Sequence, residues 1–91
     1  MGVSIDKSYM GWNLRVLVTE SPTIGGEDGY NYAIHEVYYN SKGVPNASTK
    51  RSINVSAEDM DGLEWYVDKM KEALNKPILW GDHRFPKEFK E

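Results

Sequence analysis

The chain alternates apolar and polar positions with two different periods, and short polar runs separate one period from the next. Residues 12–20, WNLRVLVTE, place Trp12, Leu14, Val16 and Val18 on one face and Asn13, Arg15, Leu17 and Thr19 on the other. A period of two with β-branched residues predicts a strand. Residues 30–39, YNYAIHEVYY, predict a second. Tyr30, Tyr32, Ile34, Glu36 and Tyr38 share one face; Asn31, Ala33, His35, Val37 and Tyr39 share the other. Apolar bulk on both faces marks a central strand with something packed on each side.

Between these strands the Gly- and Pro-rich run at 21–29 reads as a loop longer than the usual hairpin connection. After the second strand, Asn40-Ser41-Lys42-Gly43 supplies a turn in which Gly43 suits a left-handed position. A third strand is expected at Ser52–Val55. Pro45 argues against a ladder position earlier in that segment, and Lys50 and Arg51 suit a solvated edge.

From residue 57 to 76 the period changes to that of a helix. Met60, Leu63, Val67, Met70 and Leu74 form one apolar stripe. Ser56 is the expected N-cap, with Asp59 as a shortened capping-box partner and Val55 and Met60 as a hydrophobic staple. Acidic residues at the start and lysines at the end complement the helix dipole, and Pro77 ends the element. Gly62 is read as permitting close approach to the sheet. Trp65 and Tyr66 flank the stripe, so the apolar surface is wider than one meander needs; either the sheet curls around the helix or a second copy buries the excess.

The expected fold is therefore α+β: an antiparallel β-meander of three strands, or four if the short run Ile78-Leu79-Trp80 also pairs, packed against one C-terminal amphipathic α-helix. Residues 1–11 read as a flexible leader, 12–80 as a single domain, and 81–91 as a charged C-terminal tail in which Phe85 and Phe89 can dock. One helix covers only one sheet face, so a second covering layer is expected from the tail or from another chain.

Composition narrows the function classes. With 91 residues the core is thin. The absence of cysteine excludes a disulfide framework, thiolate metal sites and a cysteine nucleophile. Fourteen acidic against eleven basic residues, a net charge of −3, give no electrostatic footprint for nucleic acid. No run approaches the roughly 18 apolar residues of a membrane span, Asp6 departs from a myristoylation signal, and a cytoplasmic location is the simplest expectation.

Candidate chemistry is sparse. His35 and Glu36 are adjacent in a strand and so point to opposite faces, which prevents a direct acid–base dyad. A metal site from His35, His83 and nearby carboxylates matches no ligand signature, and neither metal nor cofactor is expected. Gly25-Gly26-Glu27-Asp28-Gly29 lacks the lysine and spacing of a phosphate loop, and its acids would repel phosphate. Asn46-Ala47-Ser48 matches a glycosylation acceptor without a secretory signal to give it meaning. The distinctive feature is aromatic: three Trp and six Tyr. Such residues fill short cores and also recur at protein contacts. Tyr30, Tyr32, His35, Tyr38, Tyr39, Trp65 and Tyr66 are the candidate partner-binding residues. Base stacking on this sheet face is disfavoured by the mixed charges and by the absence of an RNP-like motif.

Three segments carry a family resemblance: Trp12-Asn13-Leu14-Arg15-Val16, the run YAIHEVYY at 32–39 with its polar-Gly turn, and Met70, Ala73, Leu74, Lys76, Pro77 and Leu79. Over about residues 12–79 the chain resembles a group of uncharacterised small bacterial and phage-associated proteins. The resemblance implies membership and no activity; the leader, the Gly-rich loop and the Phe-containing tail depart from the pattern. A looser likeness to small antitoxin-type domains is one of fold alone.

Three functional expectations follow from these readings. The first is a non-catalytic protein–protein interaction module, homodimeric, using the Tyr-rich strand and the adjacent helix edge. The second is an inhibitor of a host protein, encoded by a phage or mobile element. The third is a small enzyme or ligand-binding protein built on His35 and Glu36.

Overall fold

The computed structural model describes residues 11–20 and 29–90. In chain order the elements are β1 (Trp12–Glu20), β2 (Tyr30–Tyr39), β3 (Pro45–Ser48), α1 (Met60–Ala73) and β4 (Leu79–Trp80). The architecture is α+β, a curled four-stranded sheet in the order β3-β2-β1-β4 with one helix packed on it. The leader expected at 1–11 and the loop at 21–29 lie outside the described residues except for Gly11 and Gly29.

The β1–β2 ladder is antiparallel and unbroken, from Trp12 opposite Tyr38 to Glu20 opposite Tyr30. Residues directly opposite one another share a face. One face thus carries Trp12, Leu14, Val16 and Val18 with Tyr38, Glu36, Ile34, Tyr32 and Tyr30. The other carries Asn13, Arg15, Leu17 and Thr19 with Val37, His35, Ala33 and Asn31. The first is called here the helix face, because Trp12 meets Trp65 of α1 edge-on at 6.4 Å. The second is the tail face. Both are loaded, as expected, but the more deeply placed strand is β1: Leu14 through Val18 are buried without interruption.

The hairpin after β2 closes as its sequence dictates. Gly43 has φ of +79°, a left-handed conformation that glycine adopts without steric cost. The Asn40 side-chain oxygen accepts from the amides of Lys42 (2.9 Å) and Val44 (3.1 Å), which locks the turn.

Three sequence expectations are corrected beyond this turn. The third strand is Pro45–Ser48, not Ser52–Val55. Pro45 opposite Tyr39 begins an edge strand, where no further neighbour asks for its missing N–H. The 52–55 segment still follows β2, with the Ile53 amide donating to the Ile34 carbonyl at 2.9 Å, but it makes no continuous ladder.

The helix begins later than its acidic prelude suggests. Asp59, in extended conformation, is the N-cap, and its carboxylate accepts from the Gly62 amide at 2.8 Å. Ser56 is displaced from that role because the aspartate three residues later offers a charged acceptor at the positive helix end. A Cβ at Gly62 would meet Ala57 Cβ and Asp59 Oδ1, each at 3.1 Å. Its small size therefore makes room for the capping turn rather than for the sheet.

β4 pairs parallel to β1, Leu17 with Leu79 and Val18 with Trp80. Residues 81–90, read as a charged tail, fold back along it. The Trp80 amide donates to the Lys87 carbonyl (2.8 Å) and the Phe89 amide to the Ile78 carbonyl (2.7 Å). The Phe85–Pro86 peptide bond is cis. Phe85 and Tyr39 pack against the buried cluster of Leu17, Val37 and Leu79 on the tail face. The second covering layer comes at least in part from the chain's own C-terminal segment.

Candidate functional site

The candidate residues separate into four places. Tyr39 belongs to the tail face. Its hydroxyl accepts from Arg15 Nη1 at 2.7 Å and donates to Asn13 Oδ1 at 2.8 Å. Arg15 is only 8% exposed, and its Nη2 donates to the Pro77 carbonyl at 2.7 Å. Among the described residues no carboxylate lies within ion-pair distance of this guanidinium, and its Nε has no hydrogen-bond partner. A buried cation whose partners among the described residues are dipoles alone makes each of those dipoles important. Tyr39 is thus a structural ligand of Arg15.

His35 is half-buried on the same face. Its Nδ1 lies 3.0 Å from the Thr49 carbonyl oxygen and 3.5 Å from the Thr49 hydroxyl. The carbonyl can only accept, so Nδ1 carries the proton in that contact. Glu36 is on the helix face, where it accepts from the Tyr38 hydroxyl. The carboxylate beside it, with lesser contributions from burial and charge repulsion, raises the Tyr38 pKa above its ordinary value. His35 and Glu36 therefore look away from each other, as strand geometry requires.

The remaining aromatics form two patches at opposite ends of the helix face. At one end Tyr30 and Tyr32 meet Phe89, with ring centroids 5.2 and 6.1 Å away, and Phe89 meets Trp80 at 4.9 Å. Phe89 is buried beneath exposed tyrosines. The Arg84 guanidinium lies over the Trp80 ring at 3.3 Å and is held by Asp82, Nε to Oδ1 at 3.1 Å, with Glu20 at 3.7 Å. These hydrogen bonds hold the Asp82 carboxyl down at about 2.

At the other end are Trp12, Tyr38 and Trp65, all exposed. Trp12 stands opposite Tyr38 in the ladder and against Trp65 across the helix–sheet junction. Trp65 also meets Tyr66 at 5.1 Å and lies under the Lys69 ammonium at 5.4 Å. Trp12 was absent from the sequence candidates. Its position as the first residue of β1, one pleat beyond the first buried core residue of that face, Leu14, was the available signal. A concavity of about 440 Å³ opens beside it, lined by Gly11, Trp12, Asn13, Tyr39, Asn40 and Ser41 among others. Neither His35 nor Glu36 lines it.

Among the described residues no cluster of three or more His, Asp or Glu side chains is arranged to hold a metal ion. No helix among them is long and apolar enough to cross a membrane. No family model, no curated protein and no solved structure matches the chain.

Proposed function

We propose that this protein is a non-catalytic protein–protein interaction module whose partner-binding surface is the Trp12–Tyr38–Trp65 patch at the helix–sheet junction, and that it works as a homodimer. One observation carries the reading: three large aromatic side chains from two strands and a helix stand exposed and adjacent, on rigid elements. Rigid aromatics bury large area at small entropic cost, which is why Trp and Tyr dominate binding hot spots. The Tyr38–Glu36 hydrogen bond adds orientation at the rim. Tyr66 supports the patch from behind Trp65.

The test is capture from a native lysate with the wild type and the Tyr38→Ala/Trp65→Ala double variant. Circular dichroism of both checks that the variant stays folded; neither side chain is among the buried core residues, at 37% and 46% exposed. A partner retained by the wild type and lost by the variant supports the reading. Equal capture by both, or capture by neither, removes this patch as the binding surface.

A further inference from the structure

The apolar stripe of α1 is not the face the helix gives to the sheet. Ala73 is the helix residue that is fully buried, and Gly62, Tyr66, Lys69 and Met70, which share its side at about 100° per residue, are half-buried. The stripe lies a quarter-turn away. Met60 is 67%, Val67 41% and Leu74 68% exposed, while Leu63 and Met70 are half-buried. An open groove of about 380 Å³ runs along it, lined by Met60, Leu63, Glu64, Val67, Asp68 and Lys71.

The spacing of the five apolar residues alternates three and four, the a/d pattern of a helix that pairs with another helix. On this pattern Met60, Val67 and Leu74 are a positions, and Glu64 and Lys71 the e positions that flank them. The g positions, Tyr66 and Ala73, are turned to the sheet side. That arrangement selects both the occupant and its direction. In a parallel pair the e residues would face the g residues of the other helix, which are committed to the sheet. In an antiparallel pair e faces e.

We propose that this stripe is a self-association face on which a second copy of the chain docks its own α1 antiparallel, about a two-fold axis at Val67. Val67 then meets Val67, and Met60 of each copy lies against Leu74 of the other, because both stand seven residues from the axis. Reversal about Val67 carries position 64 onto position 70. Glu64 is thereby about one residue rise, ~1.5 Å, from Lys71 of the second copy along the helix axis. Two opposite-charge pairs close the seam symmetrically, as isologous contacts require. Trp65 and Val67, two positions apart, are separated by about 200° around the helix. Pairing therefore leaves the aromatic patch free, and the dimer displays two copies of it.

The inference rests on the interaction-module reading and assigns its homodimer to a surface distinct from the proposed partner site. The full chain has no cysteine, so introduced thiols report cleanly. Met60→Cys and Leu74→Cys variants, mixed and oxidised, should give a heterodisulfide, while each alone should give little. A homodisulfide from Met60→Cys alone, or none in the mixture, overturns the antiparallel pair. In a light-scattering dilution series, Val67→Glu should raise the dimer dissociation constant by more than about tenfold, since it sets two buried like charges together at the axis. Glu64→Lys or Lys71→Glu alone should weaken the dimer, and the two combined should restore it.

A dimer that is unchanged by Val67→Glu overturns this surface while leaving a homodimer in place. A wild type that stays monomeric throughout overturns self-association itself. In either case the Tyr38/Trp65 capture experiment still decides the partner site. Met60 and Leu74 are largely exposed in one copy and Val67 is 41% exposed, and an unchanged circular dichroism spectrum separates lost pairing from lost folding.

Discussion

The two faces of the β1–β2 ladder, one mostly aromatic and aliphatic and the other largely polar, reach opposite outcomes. The tail face has a chain of polar contacts, Arg15 to Tyr39 to Asn13, set beside Leu17, Val37 and Leu79 and covered by Phe85. The helix face buries Leu14, Val16 and Val18 along β1 but leaves tyrosines and tryptophans standing at both ends. Tyr38 and Tyr39 show the difference in adjacent residues of one type. One hydroxyl satisfies a buried cation; the other meets a carboxylate at the surface. The lesson is that an aromatic's role is set by the partner its polar tip finds, not by its bulk.

If the tail face is the sealed core, truncating its centre should have the largest effect in the molecule. Leu17→Ala is expected to cost about 2–5 kcal/mol, the range for a buried leucine that leaves a cavity. Leu17 is 1% exposed and packs with Leu79 and Val37. For a 91-residue domain of marginal stability, that is a large part of the total. Urea denaturation followed by tryptophan fluorescence checks it; a loss under about 1 kcal/mol, well short of that range, would show that this face is loosely packed.

The paired tyrosines sharpen the comparison next. Tyr39→Phe removes the acceptor for Arg15 Nη1 and leaves a buried donor unsatisfied, a loss of about 1–3 kcal/mol. Tyr38→Phe at the surface should change stability by under about 0.5 kcal/mol. Equal losses would erase the distinction between the faces. Tyr38 has a further signature. A pKa raised by the Glu36 carboxylate means its stabilising hydrogen bond is intact below the ordinary tyrosine range. It is lost only as pH rises through the higher folded value. In an absorbance titration of tyrosinate, Tyr38→Phe should remove a late-titrating tyrosine, and Glu36→Gln should bring Tyr38 back toward its ordinary value.

Much of this contrast was legible in the sequence, and the parts that were not have physical causes. The period-two runs located β1 and β2 to the residue, and Asn40 to Gly43 specified the turn. Trp80 was legible as a short edge strand, but not its parallel pairing to β1, which depends on the crossover through α1. The position of β3 was missed because a proline is excluded only where its N–H is needed, and at Pro45 it is not. The helix stripe was read correctly as apolar, but which side of the helix the sheet takes was not legible. Periodicity shows that a face is apolar; it does not show which of two adjacent faces the sheet takes. Small Ala73 carries no hydrophobic weight in such a pattern, yet it is the residue that fits against the sheet. Among the candidate site residues, Trp65 and Tyr66 meet and Trp12 links them to Tyr38, Tyr30 and Tyr32 are set at the far end, and Tyr39 and His35 face the other way. That partition follows from register and loop path, which adjacent letters do not encode.

The smallest expected effect concerns the two arginines that flank this contrast. Arg15 is buried with no carboxylate partner among the described residues, whereas Arg84 is more exposed and lies beside two, Asp82 and Glu20. The pair is partly exposed and screened by solvent, so Asp82→Asn should lower the denaturation midpoint at neutral pH by less than Leu17→Ala or Tyr39→Phe does. The pairing is still visible in titration. Arg84 hydrogen bonds hold the folded Asp82 carboxyl at about 2, against an ordinary value of 3.8. A depressed carboxylate stabilises the fold above its unfolded pKa, and that contribution disappears as pH falls from about 4 through about 2. Carbon-detected NMR of the side-chain carboxyl should give a midpoint near the lower value in the wild type and near the ordinary one in Arg84→Met. A midpoint that stays low without Arg84 would mean that the fold of residues 81–90, rather than the guanidinium, sets the charge of Asp82. The clasp over Trp80 would then be a consequence of the tail's path and not a cause of it.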